Sequence, residues 1–237
     1  MSLDTESKAF WDQSDVESEL KRDPKETAPP GAGSRAGSRF SGRRQFMNKI
    51  ALEDIVGNAA YEKVREKSRQ RVIELKRRRR VSVGDKVTLV FENRDTVIFQ
   101  IQEMMRAEKI SDLDKIREEI EVYNELIPAT GELSVTLFLE IENQTHLREE
   151  LLKFLGIDET VYLKVGSRSI HARFEEGHSK EDKISAVQYV KFPFSEATLQ
   201  AFVKGEKAEL VIDHPNYQAS APIEPDTRQS LMEDLTT

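Results

Sequence analysis

Leu133, Val135, Leu137, Leu139 and Ile141 alternate with Ser134, Thr136, Phe138 and Glu140, and no other stretch of the chain constrains the fold as tightly. Successive side chains leave a strand on opposite faces, so this pattern marks a strand with one face strongly buried. Such a strand needs neighbours beside it and a second layer against its apolar face. Residues 87–91, 160–165, 169–174, 184–192 and 208–213 supply candidate neighbours. Of these, 160–165 and 169–174 read as a hairpin around Gly166-Ser167, and 217–221 pairs at an edge. Apolar spacing near 3.6 predicts helices over 59–79 (capped by Asn58), 96–109, 112–126 (capped by Ser111), 145–155 (closed by Gly156), 196–203 and 226–235. Residues 52–56 make a single helical turn, and Val81-Ser82-Val83-Gly84-Asp85 reads as the break that ends the first long helix. Strands joined partly by hairpins and partly by helices predict an α+β fold, a mainly antiparallel sheet with helices packed on it. Strict strand–helix alternation and a Gly-rich strand-to-helix turn are both missing, which argues against a Rossmann-type nucleotide fold.

This domain is expected over 47–237, behind a disordered tail at 1–46. Residues 27–45 (TAPPGAGSRAGSRFSGRRQ) offer almost no apolar side chains to bury. Ahead of them Ala9-Phe10-Trp11, with Val16 and Leu20, form a small acidic, amphipathic island holding the only tryptophan. Such an island either folds onto a partner as a short helix or stays solvated. Met47 is a second candidate start, because the text after it reads as the opening of a domain.

The chain has no cysteine. Structural disulfides, thiol nucleophiles, Cys-type zinc sites and self-ligated iron–sulfur clusters are therefore excluded, and the composition fits a reducing compartment. The first residues carry no secretory leader pattern, and no apolar run approaches the roughly 18–20 residues that span a bilayer. The expectation is a soluble, cytoplasmic protein.

Charge is segregated. Ten basic residues lie between Lys63 and Arg80, opposed only by Glu66 and Glu74, so this stretch carries +8 in a chain of net charge −7. Its end, Lys76-Arg77-Arg78-Arg79-Arg80, is the candidate contact for an anionic partner. The structural alternative is that these cations complement their own helix dipole and pair with the acidic stretch 112–125. Nucleic acid is a third use, weakened by the overall negative charge and by the lack of interleaved aromatics for stacking.

A polar pocket is the other candidate. On a helix starting near Asp95, Thr96, Gln100 and Glu103 form one stripe, and Asn93-Arg94-Asp95 falls at a strand-to-helix turn where backbone N–H groups hold anions. Asn93, Arg94, Gln100 and Tyr217 are accordingly the candidate ligand-binding residues, and Glu103, His214 and Asp213 the candidate catalytic ones. Asp213 would orient His214 as a general base with Tyr217 as a further proton donor. Against this stand a solvated helix face and a turn set by Pro215, with Asp213 and Asn216 capping it. Asp182 and Lys183 are further charged groups before a strand. His146 with Glu149 and Glu150 resembles half of a carboxylate–histidine metal pair, but no second Glu-x-x-His pair accompanies it, so no metal is expected. No cofactor motif and no Gly-x-Ser-x-Gly elbow is present.

Several phrases carry a family resemblance: Leu75-Lys76-Arg77-Arg78-Arg79-Arg80-Val81 with Val83-Gly84-Asp85; Phe91-Glu92-Asn93-Arg94-Asp95-Thr96 with Gln100-Ile101-Gln102-Glu103-Met104; Tyr123-Asn124-Glu125-Leu126; Ser185-Ala186-Val187-Gln188-Tyr189; and Asp213-His214-Pro215-Asn216-Tyr217. Together, over 48–235, the chain resembles a bacterial family known as a domain of unknown function, number 3501. Genes of that family are expected beside those of rubrerythrin-like and iron–sulfur oxidoreductase proteins. The resemblance thus implies a non-catalytic accessory or interaction protein of a redox system, with any iron–sulfur cluster belonging to the partner. The alternatives are a small-ligand-binding protein or enzyme with a polar pocket, and nucleic-acid binding through the basic helix end.

Overall fold

The computed structural model describes residues 49–141, 146–175, 179–180 and 183–236. The expected tail at 1–46, the second start at Met47, and Asp182 lie outside the described residues. Three layers make up the fold. A five-stranded antiparallel sheet in the middle has spatial order β1 (Arg80–Val83), β2 (Val87–Glu92), β3 (Glu132–Leu139), β9 (Val187–Pro193), β6 (Arg173–Phe174). A four-stranded antiparallel sheet has order β11 (Tyr217–Pro222), β10 (Ala208–His214), β4 (Val161–Val165), β5 (Arg168–His171). A short ribbon, β7 (Ser179–Lys180) with β8 (Lys183–Ile184), pairs only with itself and sends Ile184 into the main core.

The apolar sides of the two large sheets face one another. Val81, Val83, Leu89, Phe91, Leu133, Val135 and Leu137 meet Val161, Leu163, Val165, Leu210 and Ile212 in the main core. Helices α5 (Glu196–Val203) and α6 (Pro225–Thr236) add Phe202, Leu231 and Leu235 to it. On the other side of the five-stranded sheet, α1 (Asn58–Arg77), α2 (Arg94–Ala107) and α3 (Leu113–Tyr123) form the third layer. Val97, Ile101 and Met105 of α2 and Ile116 and Ile120 of α3 pack there with Val187 and Tyr189. A further short helix, α4 (Leu147–Leu152), follows β3.

The α+β, mainly antiparallel reading holds, and several details are corrected. β3 is covered on both faces. Ser134 and Thr136, on the face opposite the alternating apolar positions, are also buried. Their polar side chains are where a purely apolar layer gives way to a polar one. Val81-Ser82-Val83 is a strand, since its two valines point into the main core. The first helix therefore stops at Arg77, with Arg78 as its cap. Gly57, not Asn58, occupies its N-cap; the Asn58 amide instead donates to the Met105 and Ile110 carbonyls, tying α1 to the end of α2. Asp112 replaces Ser111 as the cap of α3 because its carboxylate accepts from the Asp114 and Lys115 amides. α3 ends at Tyr123, followed by a 3-10 turn at Asn124–Leu126. There the buried Asn124 side chain exchanges two hydrogen bonds with the Ile50 backbone. The stretch 169–174 is split. β5 belongs to one sheet and β6 to the other, with buried Ala172 passing between them.

Candidate functional site

The basic run is divided by the fold into cations that are consumed and cations that are presented. Arg79 is 1% exposed. Its Nε donates to the Phe91 carbonyl at 2.8 Å, one terminal nitrogen to Ser230 Oγ and the Ser230 carbonyl at 3.0 and 3.2 Å, and the other to the Glu92 carbonyl at 3.1 Å and to the Asp234 carboxylate. This guanidinium clamps α6 to the end of β2. Burial lifts the Asp234 carboxyl above the usual range against the pull of Arg79. Lys76 is also buried, with its ammonium 3.8 Å from Glu92 Oε1. Arg80 pairs with Glu140 at 2.6 Å. The expected docking patch 76–80 is thus corrected: among these five only Arg77 and Arg78 are exposed. Arg77 pairs with Glu74 at 3.0 Å.

Earlier in α1, Arg65 pairs with Glu103 at 2.9 Å and Arg71 with Asp95 at 2.7 Å. The carboxylates that answer the basic run come from α1 itself, β2, α2, α6 and Glu140, and none comes from the acidic stretch 112–125 expected to do so. The side chains of Lys63, Lys67, Arg69 and Arg78 have no ion pair or hydrogen bond among the described residues, and Lys63, Lys67 and Arg78 are exposed. At 100° per residue, Lys63, Lys67, Arg71 and Arg78 fall within an arc of roughly 80°, along about 22 Å of helix. Val64, 47% exposed, lies beside them.

Behind this helix is a buried polar cluster. Glu92, 1% exposed, accepts at Oε1 from Thr136 Oγ1 at 2.8 Å and from the Gln100 amide at 3.3 Å. Glu92 Oε2 and Gln100 Oε1 are both buried without a hydrogen-bond partner. Two acceptors left open in one place call for a donor, at minimum an ordered water.

The expected polar pocket is not assembled. Glu103, 7% exposed, sits between α1 and α2, where Tyr61 donates to it at 2.7 Å and Arg65 grips it through two nitrogens. Burial pushes its carboxyl up, but the hydrogen bonds from Arg65 and Tyr61 outweigh that and hold it below the usual range. The same burial, with the neighbouring Glu103, pushes the Tyr61 phenol far up. His214 lies in the other sheet, 2% exposed, with Nε2 donating to the Leu155 carbonyl at 2.9 Å and Nδ1 accepting from the Asn216 amide at 3.2 Å. Both ring nitrogens are engaged, which leaves none for general-base work. Asp213 is exposed on the opposite face of β10 and accepts from Gln218 at 2.9 Å, so it does not orient His214. Tyr217 donates to the Val83 carbonyl at 2.7 Å and accepts from the Lys86 amide at 3.0 Å, closing the β1–β2 turn. Asn93 caps α2 through Thr96, and Arg94 pairs with Asp54 at 2.5 Å. Sequence reasoning missed Glu92 and Asp234, because nothing local marks a carboxylate whose partners arrive from other elements.

The chain matches the family described as "Protein of unknown function (DUF3501)" over residues 49–235. It belongs to that family. A crystal structure of a novel protein of unknown function from Burkholderia pseudomallei K96243 is similar to this DUF3501 chain, with 35% identity and a TM-score of 0.74 over 79% of this chain and 99% of that one. No curated protein matches.

Among the described residues of this DUF3501 chain, no group of three or more His, Asp or Glu side chains is placed to hold a metal ion. His146 is exposed and pairs with Glu149 at 3.1 Å. No helix among those residues is long and apolar enough to cross a membrane.

Proposed function

We propose that this DUF3501 chain is a non-catalytic interaction protein of the bacterial cytoplasm that docks an acidic protein on the exposed cationic face of α1. One observation carries this reading: Lys63, Lys67, Arg69 and Arg78 are left without partners among the described residues, although the chain has seven more acidic than basic residues. A fold that pairs six of ten neighbouring cations with carboxylates has the acidic groups available to pair the rest. Leaving Lys63, Lys67 and Arg78 without partners among the described residues keeps a positive strip along one face of a negative protein, which steers an acidic partner and excludes basic ones. That the partner is a redox metalloprotein, rubrerythrin-like or iron–sulfur, rests on the family resemblance alone. The absence of cysteine agrees with a cluster carried by the partner.

The test begins with mass spectrometry of the complex isolated at natural abundance, to identify the partner. Its affinity for the purified chain is then measured against salt, with wild type and with Lys63→Glu/Lys67→Glu/Arg78→Glu. The expected loss for the triple reversal is on the order of tenfold or more at low salt, shrinking as the Debye length falls from roughly 30 Å to 3 Å. Equal affinity for both proteins, or an affinity flat in salt, refutes the reading. A nucleic acid isolated in place of an acidic protein, binding with a steep logarithmic salt slope, refutes it too.

A second reading, a small polar ligand, is favoured by the open acceptors Glu92 Oε2 and Gln100 Oε1. A stoichiometric small molecule in the native mass spectrum, lost in Glu92→Gln, would support it. A spectrum of bare polypeptide with and without that substitution would sink it.

A further inference from the structure

We propose that the acidic N-terminal segment 4–19 of this same chain docks on the cationic face of α1 and occupies it in competition with the acidic partner. The inference rests on the interaction reading above and adds a regulator to it.

Three observations converge. The first is charge. Asp4, Glu6, Asp12, Asp15, Glu17 and Glu19 against Lys8 give the segment a net charge of −5, the densest acidity outside the described residues. Lys63, Lys67 and Arg78, unpaired among the described residues, are the complement; the first two lie on the first long helix after that segment and Arg78 caps its end. The second is apolar matching. Val64 is 47% exposed beside these cations, and the segment brings Phe10 and Trp11 into the middle of its carboxylates. An aromatic against the exposed Val64, with opposite charges around both, gives the contact an apolar centre and a polar rim.

The third is reach. Residues 20–48 separate the segment from the start of the described fold; ten of them are Gly, Ser or Pro, and seven are Lys or Arg against two acidic residues, so the linker is itself repelled by the cationic face and leaves the segment as the part of the tail that fits it. A flexible linker of that length has an expected end-to-end distance of roughly 30 Å, and its excess of like charge extends it further. A tether of that order gives an effective concentration in the millimolar range. Even a weak contact is then substantially occupied, and an outside partner present at micromolar concentration must outcompete it. The segment therefore raises the affinity threshold for partners and rejects weakly acidic ones.

Trp11 is the only tryptophan, so its fluorescence reads the segment directly. The experiment uses the full chain. Trp11 emission maximum and acrylamide quenching are recorded from about 10 mM to about 1 M salt, over which screening lengths fall from roughly 30 Å to 3 Å. The expected result is a blue-shifted, quencher-protected Trp11 at low salt that becomes solvent-like at high salt and is independent of protein dilution. Lys63→Glu/Lys67→Glu/Arg78→Glu, all at exposed positions, should leave Trp11 solvent-like at every salt while circular dichroism is unchanged. Poly-L-glutamate added to wild type should release it, and Asp12→Asn/Asp15→Asn/Glu17→Gln/Glu19→Gln should release it without touching the helix. A solvent-like Trp11 at low salt overturns the proposal. So does protection that survives both variants, or protection lost on dilution, which would place the segment on a second copy. These outcomes leave the partner affinity test above intact. Failure of that test with Trp11 protected would refute the partner while keeping the docked segment.

Discussion

Arg79→Ala is the sharpest test of how the basic run is divided. The substitution removes the donors to Phe91, Glu92, Ser230 and Asp234 at once, from a side chain that is 1% exposed. Breaking a buried ion pair by deleting one member costs about 3–5 kcal/mol, since the remaining charge is left uncompensated. The orphaned carbonyls add up to about 1–3 kcal/mol each where water cannot reach them. Asp234 retains 10% side-chain exposure, so water entering the vacated space recovers part of this. The expected loss is about 4 kcal/mol, within the range of removing one partner of a buried pair. For the roughly 180 described residues the unfolding entropy is about 0.4 kcal/mol/K, so that loss lowers Tm by about 10 °C. Urea unfolding of the full chain measures it, with Arg78→Ala as the control. Arg78 is exposed one residue away, and its replacement is expected to change stability by less than about 0.5 kcal/mol. A double-mutant cycle with Asp234→Asn should return a coupling on the order of 2 kcal/mol. An Arg79→Ala cost below about 1 kcal/mol, or one equal to that of Arg78→Ala, would refute the clamp.

Glu103→Gln is expected to cost about 2 kcal/mol at neutral pH, because it weakens charge-assisted bonds from Arg65 and Tyr61. Since the folded-state carboxyl titrates below its unfolded value, its contribution is present above about pH 4.5 and is lost as pH falls through the depressed value. The variant should accordingly show a shallower acid limb in a stability-versus-pH series, and an unchanged limb would contradict the assignment. Gly84→Ala should destabilise by about 2–3 kcal/mol by thermal melt. The added Cβ meets the Tyr217 hydroxyl at 2.3 Å on a backbone with φ of +75°, and moving that ring breaks the bonds to Val83 and Lys86. His214→Ala is expected to lower stability by about 2–3 kcal/mol and to leave partner binding untouched, because the imidazole bridges the Leu155 carbonyl to the Asn216 amide far from α1 in the fold. Loss of binding at unchanged stability would reinstate it as a functional group.

The strand positions were partly legible because period two survives wherever one face of a strand is buried. Residues 160–165 and 208–213 come within a residue of β4 and β10 for that reason. The reading failed where a residue type serves a partner distant in sequence. Asn58 looks like a cap and has the right chemistry, but its amide is spent on α2, and Gly57 takes the cap position. Val81-Ser82-Val83 is too short to show a period, so the preceding run of cations made it look like a helix terminus. Residues 169–174 form one apolar-patterned run that belongs to two sheets, and no local signal marks the crossing at Ala172. The candidate site fared similarly. Glu103 and His214 each carry reactive groups, yet their partners come from 38 and 59 residues away in sequence and satisfy them fully.

The basic run shows why residue type alone did not separate anchor from surface. By type, all five are cations in one unbroken series; only spacing hints at a difference, since Lys76 and Arg79 fall four and seven residues after the apolar Val72. What separates them is geometry. The helix ends at Arg77, and the chain turns through Arg78 and Arg79 into β1. That turn aims Arg79 inward at the C-terminal ends of β2 and α6, where carbonyls and Asp234 gather. An arginine is required there, because the site asks for a planar fork with five donors and a lysine supplies three from one point. The surface cations face no such requirement, and on the proposed docking face a lysine would serve as well as Arg78. A clamp that demands arginine and a face that accepts either cation make separable claims. Arg79→Lys should lose most of the clamp's stability, whereas Arg78→Lys should leave both stability and partner affinity unchanged.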